Sequence, residues 1–164
     1  MRKMPAGVTA IYERRAEMRE IKFKGRREDT GKWVKGYYMC LLGVNGAENS
    51  HFIIDEHGEY HRIDPDTLCE YIGLHADNKE EIYEGDIIKC SDLSNDFEFV
   101  AIVEFGNPNG QYNWGWQLHI IGGVKDVRDV NPDILCWVET EIEETTAVEI
   151  LGNTHDAKLR EATE

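Results

Sequence analysis

The sequence predicts a mainly β fold, and three observations carry that expectation. Apolar residues recur at period two in several short runs, and clusters of Gly, Asn, Asp and Pro separate those runs. The one helical pattern, over Val8, Ile11, Tyr12 and Ala16, is weak and uncapped. Many short strands with turn signals between them suggest a small barrel or sandwich with few short helices.

Taken in order, Ile21 and Phe23 open a strand whose other face carries Lys22 and Lys24. Trp33 to Leu42 follows the turn residues Asp29-Thr30-Gly31 and ends at Asn45-Gly46. His51 to Asp55 and Glu59 to Ile63 read as a hairpin around Glu56-His57-Gly58. Asp64-Pro65 predicts a turn or a single helical turn that Gly73 closes. Gly85-Asp86 leads into Ile87 to Cys90, and Phe97, Phe99, Ala101, Val103 and Phe105 share one face of the next strand. Tyr112, Trp114, Trp116, Leu118 and Ile120 share one side of another. Ile134 to Val138 and Ala147 to Leu151 complete the set, with the acidic stretch Glu139 to Glu144 as a solvated edge or loop.

With 164 residues the chain is long enough for one ordinary domain or two small ones. No apolar run approaches the roughly 20 residues of a membrane helix, so no membrane is expected and the location expected is the bacterial cytoplasm. Cys40, Cys69, Cys90 and Cys136 form no close pair and read as reduced, buried thiols. Charge is divided unevenly. Residues 1–35 hold eleven Lys/Arg against five Asp/Glu, and residues 36–164 hold seven against twenty-seven. A body that acidic repels phosphate backbones at long range, leaving only the basic N-terminal stretch to touch nucleic acid.

Several segments together resemble the YopX family of phage and bacterial proteins. They are Met18-Arg19-Glu20-Ile21-Lys22-Phe23-Lys24-Gly25, Thr30 to Tyr38, Asp64-Pro65-Asp66-Thr67 with Tyr71 to Leu74, Glu81-Ile82-Tyr83-Glu84-Gly85-Asp86-Ile87-Ile88, Val103 to Asn107 and Val148 to Asn153. The resemblance implies a phage or prophage product with a small β N-terminal region and a C-terminal part similar to an SH3-like β-barrel, and it transfers no activity. The expected organisation is an N-terminal extension over 1–17, disordered or helical, a β region over 18–75, an SH3-like β-barrel region over 76–155 and a tail over 156–164. The extension precedes the family's usual start, which makes Met18 an alternative first residue. Where the family reads Asn-Gly, this chain has Asn78-Lys79, a pair that disfavours a type I′ turn.

Candidate chemistry is sparse. His57 and His61 are four apart, but Gly58 and the alternation around it argue for a hairpin, so no metal and no cofactor is expected; Asp55, Glu56 and Glu59 stay open as an acidic tip. Ser50, Ser91 and Ser94 lie in no nucleophile elbow, and neither glycine-rich phosphate-loop pattern occurs. Glu84 and Asp86 are the best acid and base pair, against the simpler reading of Gly85-Asp86 as a turn entering a strand. Candidate binding residues are the basic Lys22, Lys24, Arg26 and Arg27 and the aromatic Tyr112, Trp114 and Trp116, with Gly115 allowing close backbone approach. The first-ranked reading is a non-enzymatic binding protein with a phage or host protein as partner and self-association as a further expectation. Behind it stand a nucleic-acid-binding module using the basic strand and a small hydrolase using acidic residues.

Overall fold

The computed structural model describes residues 20–94, 96–108, 110, 115–124, 130–138 and 146–156. Expectations for the extension over 1–17, for Tyr112 and Trp114, for the acidic stretch 139–144 and for the tail beyond Asp156 lie outside the described residues. The protein is mainly β, with strands β1 (Phe23–Arg27), β2 (Trp33–Leu41), β3 (Ser50–Ile54), β4 (Tyr60–His75), β5 (Glu81–Tyr83), β6 (Asp86–Asp92), β7 (Phe97–Gly106), β8 (Gly115–Gly122) and β9 (Thr146–Asn153). No helix among the described residues is long and apolar enough to cross a membrane.

Two antiparallel sheets result. In the first, β1-β2-β3-β4-β5 pair in that order, and an added β1–β4 pairing closes the first four strands into a ring. Ile53 and Ile63 fill its interior at zero exposure, and β1 passes close over them at Gly25, where a Cβ would lie 2.9 Å from the Ile63 Cδ1. The second sheet runs β8-β7-β6-β9. Its core holds Ile88, Cys90, Phe99, Ala101, Val103, Leu118 and Val148, and Ile72 and Ile82 from the first sheet join it with Ala76 from the turn between β4 and β5. Each such aliphatic burial is worth roughly 1.5–3 kcal/mol, so β4 and β5 tie the sheets together hydrophobically.

Turn chemistry sets the registers. Asn45 and Gly46 both have positive φ, the requirement of a type I′ turn, while at Asn78-Lys79 only Lys79 does (67°), as the missing glycine predicts. Three expectations need correction. Asp64-Pro65 starts no helical turn; β4 runs straight through it as a bulge, with Asp64 Oδ1 accepting from the Asp66 amide and the β1–β4 register shifting between Lys24 and Arg26. Proline has no N–H for a ladder, and a bulge is where a strand tolerates it. Ile134 to Val138 is not a strand: Asp133 caps the Leu135 amide at 3.0 Å and a 3-10 turn forms over Ile134–Cys136. Phe105 leaves the buried face of β7, being 62% exposed at the strand's end, while Phe99, Ala101 and Val103 stay inside.

Candidate functional site

The seam between the sheets gathers the polar residues of the chain's most distinctive segments. Gly85 (φ 75°) turns β5 into β6, and Asp86 Oδ2 accepts from the Tyr83 amide at 2.8 Å, so the pair does form the turn expected of it. The other carboxylate oxygen of Asp86 faces Lys24 Nζ at 2.5 Å and accepts from Asn153 Nδ2 at 2.9 Å. Asp86, Asn153 and Lys24 are all buried. The Lys24 ammonium also lies 4.9 Å from the ring centroids of both Trp33 and Tyr83, where a desolvated cation gains about 2 kcal/mol from an aromatic face.

Around this seam the remaining basic candidates find carboxylates of their own chain. Lys22 meets Glu81 at 2.7 Å and Glu20 at 3.0 Å, Arg26 meets Asp156 at 2.6 Å, and Arg27 meets Asp29 at 2.6 Å. Asp156 in turn accepts from Trp33 Nε1 and from the Asn153 amide, and it stays acidic because those donors and Arg26 outweigh its burial. Burial also pushes Glu81 up, but Lys22, Tyr83 and Lys35 together hold its carboxyl down to about 2. The basic strand is therefore largely spent on internal pairs.

The acid and base candidates are held apart by function. Asp86 is saturated inside the seam, whereas Glu84 lines a cavity of about 260 Å³ with Cys69, Glu104, Thr154 and His155, where burial raises its carboxyl. Of the thiols, burial pushes Cys69 up to about 11 and Cys90 up to about 12, so neither offers a thiolate. Cys136 departs from the expectation by being exposed, and Cys40 is half-buried.

At the β3–β4 turn His61 lies opposite Ile53, as the hairpin reading requires, and its Nε2 is 2.8 Å from Asp55 Oδ2. Asp55 Oδ1 accepts from the His57 and Glu59 amides, and the His61 hydrogen bond leads the causes that lower its carboxyl to about 2. Asp55, Glu59 and His61 bring ligand-type atoms within 4.8 Å of one another, but the Asp55 oxygens already serve the turn. His57 points away from this set, 3.6 Å from Glu56 and well exposed.

Of the aromatic candidates Trp116 is described. It packs edge-on against Phe105 at 5.2 Å and, with Gly115, Ile72, Leu74, Ile134 and Leu135, lines a groove of about 350 Å³ at the edge of β8. Serines 50, 91 and 94 meet no histidine partner in the hydrogen bonds of the described residues.

An open apolar surface that was not apparent from the sequence lies on the outside of the ring. Because Ile53 and Ile63 face the ring's interior, their neighbours face out, and the register Tyr37↔Ile54↔Tyr60 puts three of them side by side across β2, β3 and β4. Met39 and Phe52 form the next row with Arg62, and Leu41 follows on β2. Tyr37 and Tyr60 are 55% and 63% exposed. In β2 both faces are apolar, Tyr38 and Cys40 on one and Tyr37, Met39 and Leu41 on the other, so periodicity alone does not say which faces water.

The segments that build the seam are those of one family, and the model of the YopX protein family matches residues 22–158. This chain belongs to the YopX family. None of the curated proteins compared matches it. The YopX match spans both sheets from Lys22 onward, and Lys24, Trp33, Tyr83, Asp86 and Asn153, which meet in the seam, all lie within it.

Proposed function

We propose that this YopX chain is a non-enzymatic binding protein that engages a protein partner through the outer face of β2, β3 and β4. One observation carries the reading: a contiguous apolar face with two exposed tyrosines stands on a chain that is 30% charged. Exposed apolar patches of this kind mark interaction sites, and tyrosine is favoured there because it combines area with a polar tip. Binding ranks above hydrolysis because Asp86 is occupied on both oxygens by structural partners. It ranks above nucleic-acid binding because Lys22, Lys24, Arg26 and Arg27 each meet a carboxylate of the same chain, within a net charge of −14. The setting in this reading is a phage or prophage accessory protein in the cytoplasm of a bacterial host, with an SH3-like C-terminal part, as the resemblance implies.

Affinity capture of the full chain from bacterial lysate, with and without nuclease, tests it against a Tyr37→Arg/Tyr60→Arg variant. A stoichiometric protein that survives nuclease and is lost with the variant supports the reading. Recovery of nucleic acid alone, or of a protein indifferent to the two tyrosines, overturns it.

A further inference from the structure

We propose that the partner on this face is a second copy of the chain, packed about a two-fold axis that runs along β3. The inference rests on the interaction reading above and names its occupant.

The row Tyr37–Ile54–Tyr60 reads the same from either side, with β3 in the middle and β2 and β4 about 4.8 Å to its left and right. Turning one sheet over onto another about the β3 direction therefore sets Tyr37 over the copy's Tyr60 and Ile54 over its own counterpart. In the next row Phe52 meets its own counterpart, and the aliphatic stem of Arg62 covers Met39. This is the self-complementarity that an isologous interface demands, at the roughly 10 Å spacing of stacked sheets.

Charge fits the same axis. Lys35 precedes Tyr37 by two residues and shares its face, beside the end of β3 where the β3–β4 turn begins. The two-fold brings it over the copy's turn, where the Glu56 side chain is 87% exposed. Within its own chain Lys35 lies 3.4 Å from Glu81 and 5.1 Å from the centroid of the Tyr83 ring, and it remains 45% exposed. Two Lys35–Glu56 pairings result, one at each side of the axis.

The area suits a weak association. An aromatic side chain buries roughly 150–250 Å², so the more than half-exposed Tyr37, Tyr60 and Leu41 with their neighbours supply on the order of 500 Å² per copy. A standard interface needs about 800 Å² per partner, so about 500 Å² per copy fits a weak, reversible dimer.

Sedimentation equilibrium of the full chain from micromolar to millimolar concentration tests this. The expected result is a monomer–dimer equilibrium that tightens as salt is added, because each copy carries −14 and screening relieves their repulsion. Tyr37→Lys/Tyr60→Lys should raise the dissociation constant more than tenfold, with far-UV circular dichroism unchanged, and Tyr37→Phe/Tyr60→Phe should leave it near wild type. Glu56→Lys should weaken the dimer, and adding Lys35→Glu to the same chain should restore it. A monomer throughout the range overturns the proposal, as does a dimer indifferent to the tyrosine variants. So does a monomer whose β3 amides are protected from exchange only when residues 1–19 are present. A monomeric chain that still captures a different protein through Tyr37 and Tyr60 overturns the second-copy assignment alone and leaves the interaction reading standing.

Discussion

Lys24 and Asp86, 62 positions apart in the chain, meet at 2.5 Å in the buried seam where the ring of β1–β4 joins the second sheet. Both are buried, and beside their mutual contact Asp86 accepts from Asn153 and the Tyr83 amide while Lys24 faces the rings of Trp33 and Tyr83.

Removing one charge should therefore cost far more than removing both. Lys24→Met or Asp86→Leu alone should destabilise the chain by about 3–5 kcal/mol, because the survivor is left buried and unpaired. The double variant should lose much less than the sum. Urea denaturation of the four proteins measures the coupling; simple additivity would mean that the two residues contribute independently.

Gly36 makes a second, purely steric test. Its φ is 155°, and a Cβ placed there would lie 2.0 Å from the Ile54 carbonyl oxygen across the β2–β3 ladder. Gly36→Ala should cost at least about 2–3 kcal/mol, visible as a lower urea midpoint. Gly31→Ala, with nothing within 4 Å but a φ of 65°, should cost only about 1 kcal/mol.

Acid should weaken the fold through two carboxylates. Asp55, hydrogen-bonded to His61, and Glu81, paired with Lys22, are both held down to about 2 in the folded chain. Unfolded, they bind protons near pH 4, so between about pH 4.5 and 2 the unfolded chain carries more protons and stability falls as pH falls. Glu84 works in the opposite sense, since burial raises its carboxyl and its ionisation opposes folding as pH rises. Thermal melts from pH 2 to 6 should show a shallower acid limb for Asp55→Asn and Glu81→Gln and a steeper one for Glu84→Gln.

Thiol labelling should separate the cysteines by position. In the native chain Cys136, exposed in the 3-10 turn, should react with a disulfide reagent first and Cys40 more slowly, while Cys69 and Cys90 should wait for denaturant. Four thiols reacting together in the native state would contradict the burial of the two core cysteines.

Local signals were strong where the chain speaks to its near neighbours. Asn45-Gly46, Gly58 and Gly85-Asp86 each place a turn because only certain residues adopt positive φ or cap an adjacent amide, and the strands between them follow from alternation. Misreadings arose where one residue has two local solutions. Pro65 suits a helix start as well as a bulge, and Ile134 to Val138 is apolar enough for a strand until Asp133 caps a 3-10 turn.

By itself the sequence determined a mainly β chain, its turns, the division of charge and the family, since all of these are written in residue types and short spacings. Only the tertiary structure decided that the basic strand is consumed by Glu81, Asp86 and Asp156, that both Asp86 oxygens are engaged by Lys24, Asn153 and the Tyr83 amide, and that Tyr37 and Tyr60 face out together. Those outcomes depend on contacts between residues tens of positions apart and on which of two apolar strand faces closes over Ile53 and Ile63, and no periodicity of two encodes that choice.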